Sequence, residues 1–213
     1  MSGGGPLRSG LIVVGGGEHA RVVIEAIRTG GGQDLLGFID REPCAETVRR
    51  LGVERLGWEE ALESHPGAFG ILGFGALATR AGRVDIVERF TPHLGGWATV
   101  VHASAWISPT ASIGEGTVIL ARAVVQTGAR IGAHCVVNTG TIVEHDVELG
   151  EHAQLAPGVI LGGGARVGAL AYVGLGAVVR DHVAIGDGAT VGMGAVVVKD
   201  IPDGARALGV PAR

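Results

Sequence analysis

From Val101 to Pro202 a large aliphatic side chain stands at every sixth position. The series runs Ile107, Ile113, Ile119, Val125, Ile131, Val137, Val143, Leu149 and on to Val197, giving 17 hexads without a slip of phase. The fifth position of each hexad holds Ala, Thr, Cys or Val until Ile201 closes the series. A helical period would scatter these residues, and simple alternation would not leave a single large side chain every sixth place. Short parallel strands coiling around a triangular prism account for both. Three hexads then make one coil of about 18 residues, so residues that far apart stack on neighbouring rungs about 4.8 Å apart. The hexad leaders fill the core, and the small fifth residues fit the corners.

Residues before about 95 lack this phase and carry α/β signals instead. Leu11 to Val14 reads as a strand, Gly15-Gly16-Gly17 as a tight turn, and Glu18 to Arg28 as a helix with Val22, Val23, Ala26 and Ile27 on its buried stripe. Leu35 to Ile39 is a second strand ending on Asp40. Phe69 to Leu72 is another, and Leu77 to Phe90 has helical spacing. The pattern predicts a disordered tail over residues 1–10, a Rossmann-like α/β unit over 11–94 and an all-β parallel coil over 95–213, with the changeover between Pro92 and Val101. The turn departs from G-x-G-x-x-G where His19 and Ala20 stand, so a full dinucleotide site is not expected.

Composition narrows the function classes. A formal charge of −4 over 213 residues leaves no broad basic surface for nucleic acid. Two cysteines, Cys44 and Cys135, give no disulfide framework and fit a reducing, cytoplasmic setting. No apolar run approaches the roughly 20 residues of a membrane span, and Met1 to Gly10 has no signal-peptide core.

Of the eight histidines, His145 stands beside a carboxylate, Asp146, in a hexad whose apolar positions are fully kept. An imidazole accepts a proton near neutrality, and an adjacent carboxylate orients it and stabilises its charged form. One coil further on, position 163 lies within Gly162-Gly163-Gly164, so the neighbouring rung offers bare backbone beside His145.

The run Val143-Glu144-His145-Asp146-Val147-Glu148-Leu149-Gly150 resembles the catalytic segment of the hexapeptide-repeat sugar acyltransferases, the sialic acid O-acetyltransferase and UDP-bacillosamine N-acetyltransferase family. Gly15 to Val23 resembles that family's amino-terminal G-x-G-G-H-A motif, and Gly209-Val210-Pro211-Ala212-Arg213 resembles its carboxy-terminal segment near coenzyme A. The resemblance implies a left-handed β-helix, with His145 as general base, Asp146 as its orienting partner and the Gly163 N–H facing the acyl carbonyl. It also implies that Gln154, Lys199 and Arg213 meet acetyl-CoA, and that Gly15, Gly17, His19, Asp40, Arg80 and Asn138 meet a nucleotide-linked sugar. Gln154 occupies a position where the family usually carries histidine, while His152 is expected to be solvated.

The reading that follows is an acetyl-CoA-dependent acetyltransferase, without metal, that acylates the amino group of a nucleotide-linked amino-deoxysugar in surface glycan biosynthesis and works as a homotrimer. O-acetylation of sialic acid or a related sugar is the nearest alternative. Two other classes use the same coil: a zinc hydratase of the gamma carbonic anhydrase type, drawing on His134, His145, His152 and His182, and a non-catalytic sugar-binding scaffold.

Overall fold

The computed structural model describes residues 10–30, 34–75 and 80–213. The expected tail, apart from Gly10, and the first turn of the Leu77 to Phe90 helix lie outside the described residues, as does the Arg80 side chain. A parallel sheet forms first, from β1 (Leu11–Val14), β2 (Leu35–Ile39), β3 (Arg55–Gly57), β4 (Phe69–Leu72) and β5 (Gly96–Trp97), in the order β3-β2-β1-β4-β5. Among the described residues, α-helices α1 (Glu18–Gly30), α2 (Ala45–Leu51) and α3 (Arg80–Phe90) accompany it.

Helix α1 buries Ala20, Val23, Ile24, Ala26 and Ile27. Val22 is 40% exposed, so it leaves the expected stripe. The set 20, 23, 24 and 27 follows the i, i+3, i+4, i+7 spacing of one helix face, and Val22 falls outside it. Helix α2 and strands β3 and β5 are elements that the sequence pattern above does not predict. Strand β5 pairs with Phe69 and Gly70 of β4, which carries the sheet to Trp97, past the expected cut at 94/95.

The left-handed β-helix begins at Val100 with two-residue strands, each pairing with residues 18 positions away, as in Val124↔Ile142 and Val125↔Val143. Every leader from Ile119 to Val197 is buried, and so is every fifth residue from Thr117 to Ala195. The phase slips at the carboxy end. Ile201 bridges to Ile185, and Thr190 and Val191 pair with Arg206 and Ala207, each 16 residues on, so the last coil is two residues shorter and Ile201 takes a leader's place.

The residues preceding the leaders point outward, and each face of the prism has its own character. One face presents Val100, Val118, Val136 and Gln154, all buried, with Val100, Val118 and Leu120 packed into the same core as α1 and β1. A second presents Ser112, Arg130, Glu148, Arg166 and Ala184, with an Arg130–Glu148 ion pair. The third presents Trp106, Val124, Ile142, Ile160, Val178 and Val196, apolar on six successive rungs and exposed or half-buried among the described residues.

Candidate active site

The corner bearing His145 is built from turns whose fourth residue takes the left-handed conformation. Asp146 (φ 59°) and His182 (φ 55°) occupy it, as do Gly128 and Gly164. His145 Nδ1 lies 3.0 Å from Asp146 Oδ2. A carboxylate only accepts, so Nδ1 carries the proton in that contact and Nε2 is left free to accept one. The imidazole leans along the helix axis over Gly163, the residue 18 positions on. A β-carbon built there would collide with Nε2 and lie 2.6 Å from Cε1. The rung is locked beneath it: Gly164 N–H donates to the His145 carbonyl at 2.8 Å, and His182 N–H to the Gly163 carbonyl at 3.0 Å. The Gly163 N–H has no acceptor among the described residues. A proton acceptor and a free backbone donor thus stand side by side on a rigid wall, the pair needed to take a proton from a nucleophile and to steady a developing oxyanion.

The glycine turn lies at the carboxy edge of the sheet, where ligands of α/β folds collect. Gly15 has φ 100°, and a β-carbon there would meet the Phe74 ring at 2.8 Å, so both backbone angle and space require glycine. Asp40 braces the turn: its carboxylate accepts from Gly16 N–H at 2.7 Å and from Glu42 N–H at 2.9 Å. At Gly17 a side chain would meet nothing within 4 Å. Asp40 also lines a cavity of about 490 Å³ with Trp58, Phe74, Asp85 and Arg89, Trp58 being flanked by the Arg41 and Arg89 guanidinium groups at 5.1 and 5.9 Å. Burial and the neighbouring Asp40 push the Cys44 thiol up to about 11, which leaves it un-ionised at neutrality.

His19 faces elsewhere. With Asn138, Gln154, Tyr172 and Leu175 it lines a cleft of about 80 Å³ between the glycine turn and the β-helix. Burial first, then the Arg83 charge, lowers its pKa to about 4, so it is neutral there. Its Nε2 and Gln154 Oε1 are both buried without a partner among the described residues, two polar atoms left over for a ligand or water. Asn138 Oδ1 accepts from Thr139 N–H at 2.8 Å.

His152 is buried, against expectation. Its ring stacks on His134 with centroids 4.9 Å apart and 15° between planes, and Trp97 meets His134 edge-on at 5.2 Å. Arg83 of α3, 1% exposed, donates to the carbonyls of Phe74 and His134. The amino-terminal unit covers this corner, which the hexad pattern of the coil does not reveal. Burial first, then the stacked His152 and Arg83, lowers the His134 pKa to about 4, and burial with Arg83 lowers that of His152. The four histidines of the zinc alternative therefore split into two pairs, His134 with His152 and His145 with His182, on different corners. Lys199 and Arg213 are exposed near the shortened last coil, and Arg213 pairs through its backbone with Leu208.

The structure sets His182 over Gly164 and buries Arg83 against the His134 carbonyl, whereas the sequence pattern offers His182 only to the zinc alternative and does not single out Arg83. For His182 a signal existed, since it stands 18 residues after Gly164. None existed for Arg83, whose burial depends on α3 docking against the coil.

Residues 10–88 match the family model described as the PglD N-terminal domain. No curated protein sequence matches the chain. Among solved structures, a histidine-to-asparagine mutant of perosamine N-acetyltransferase from Caulobacter crescentus, in complex with CoA and GDP-perosamine, is 34% identical over 96% of this chain and 95% of its own, with a TM-score of 0.86. The acetyltransferase domain of PglB from Neisseria gonorrhoeae, in complex with acetyl coenzyme A, is 32% identical over 96% and 98%, with a TM-score of 0.87. WeeI from Acinetobacter baumannii is 26% identical over 96% and 98%, with a TM-score of 0.79.

Proposed function

The chain belongs to the hexapeptide-repeat sugar N-acetyltransferase family, and we propose that it transfers an acetyl group from acetyl-CoA to the amino group of a nucleotide-linked amino-deoxysugar, as a step in surface glycan assembly. The observation that carries this reading is the His145 imidazole, tied to Asp146 and overhanging Gly163 with its free N–H. The amine attacks the thioester carbonyl carbon and a C–N bond forms. The carbonyl electron pair moves onto oxygen, where the Gly163 N–H meets it. His145 Nε2 takes the proton from nitrogen, the carbonyl re-forms, and the C–S bond breaks with its electron pair going to the sulfur of coenzyme A. An amine is already a nucleophile when neutral, so one carboxylate-oriented imidazole suffices for it, whereas a sugar hydroxyl demands closer coupling to the base.

Gln154 and His19 present their unpartnered polar atoms to the acceptor or donor arm in the cleft they share with Asn138. The cavity beside Asp40 receives the nucleotide, and the open turn at Gly17 ahead of α1 suits its phosphates. Arg80 lies on the same helix as the cavity-lining Asp85, while Lys199 and Arg213 supply exposed cations for the phosphates of coenzyme A.

The apolar ladder from Trp106 to Val196 supports a homotrimer, because an uncovered face of six apolar rungs is buried when three prisms pack around a threefold axis. Light scattering is expected to give three times the chain mass, and Ile160→Asp with Val178→Asp to give the single-chain mass. Among the described residues no helix is long and apolar enough to cross a membrane.

The test of the activity is a panel of nucleotide amino-sugars with acetyl-CoA, read by thiol release. Release with at least one of them, and a product acetyl group that survives mild alkali, is expected. An alkali-labile acetyl group, or preference for free sialic acid, overturns N-acylation.

A further inference from the structure

The rung Gly162-Gly163-Gly164 is overhung from both sides. His145 reaches it from the preceding coil and lies over Gly163. His182 reaches it from the following coil and lies over Gly164, where a built β-carbon would meet its Nδ1 at 2.6 Å and its Cε1 at 2.8 Å. The backbone bonds from Gly164 to His145 and from His182 to Gly163 hold the three rungs in fixed register. Two imidazoles therefore flank adjacent bare residues, one of which carries the free N–H.

We propose that His182 is the acid that protonates the departing thiolate, an inference that rests on the acetyl-transfer reading above. In that step His145 is already committed, with Nδ1 held by Asp146 and Nε2 receiving the amine proton. The acyl carbon opposite the Gly163 N–H has its nucleophile on one side and its sulfur on another, and His182 stands across the glycine rung from His145. Its nearest acidic neighbour in sequence, Asp181, lies 4.0 Å from the Arg180 guanidinium, and the His182 ring has no partner among the described residues and is exposed. An imidazole holds and releases a proton near neutrality. As the C–S bond breaks, the sulfur takes the bonding pair and the imidazolium proton. His182 then regains a proton from solvent, and His145 gives the amine's proton to solvent, so charge and protons balance over one turnover.

His182→Asn is the informative variant, because asparagine tolerates the left-handed backbone at φ 55° and its amide cannot act as an acid. With acetyl-CoA, kcat is expected to fall roughly 10²-fold, at the lower end of what acid catalysis contributes, with KM for both substrates nearly unchanged. The same comparison is then made with acetyl-seleno-CoA, which keeps every coenzyme A contact but releases a selenolate that needs no proton to leave. There the variant is expected to approach wild type within about threefold on the same scale. An equal loss with both donors assigns His182 a structural part and overturns the proposal, as does an undiminished rate with acetyl-CoA. Wild-type protein that acetylates no nucleotide amino-sugar removes the underlying reading together with this one. Wild-type turnover with an indifferent variant removes this one alone.

Discussion

Two corners of one β-helix carry histidine pairs, and the pairs stand in opposite surroundings. His134, His152 and His182 occupy the same left-handed turn position, and His145 the position before it. His145 and His182 stand exposed over glycine, while His134 and His152 are stacked and buried under Arg83 and Trp97. The coil supplies identical scaffolding at both corners. Whether an imidazole there is a reagent or a packing element is decided by what covers it, since burial favours the neutral ring and exposure leaves it free to take a proton.

The comparison breaks most sharply on the exposed corner. His145→Ala is expected to lower kcat by roughly 10² to 10⁴, the usual contribution of a general base, while the coil keeps its fold because the ring contributes nothing to the core. Retention of near-normal turnover removes His145 from the mechanism. Gly163→Ala approaches the same loss by another route, at roughly 10²-fold, since misplacing a catalytic group by about 1 Å has that cost. Its β-carbon enters the space of the His145 ring. Thermal unfolding within a few degrees of wild type, with kcat reduced, is the expected pair of results.

On the covered corner the expected readout is stability rather than turnover. In the unfolded chain the imidazoles titrate near 6.5, whereas folded His134 titrates near 4. Between those values the unfolded state binds more protons, so stability rises with pH across the window and is lost as pH falls from about 6.5 towards 4. His19, also lowered to about 4, adds to the same slope, and His152 acts in the same direction. His134→Leu should flatten the dependence of the melting midpoint on pH, and Leu170 two coils above shows that leucine occupies this turn position at φ 59°. An unchanged slope in that variant means that other groups carry the acid sensitivity. The smallest change is expected from Asp146→Asn, whose amide still orients the His145 ring but no longer stabilises its charge, lowering kcat by less than His145→Ala does.

The hexad period by itself determined the coil, its 18-residue register and the alignment of His145 with Gly163, because a β-helix repeats a single local geometry and stacking is then set by counting. His182, one coil after Gly164, obeys the same register, and the structure sets it over that glycine. The strands Leu11 to Val14, Leu35 to Ile39 and Phe69 to Leu72 were legible for a related reason, as short apolar runs bounded by glycine or a charge. Counting failed where local geometry ended: Ile201 changed role when the last coil lost two residues, and Val22 turned to solvent. Only the tertiary structure decided that His152 is buried, that Arg83 reaches the His134 carbonyl across 51 positions of sequence, and that His19 and Gln154 share one cleft. Those contacts join two units of different periodicity, so they depend on docked surfaces whose fit no period within either unit encodes.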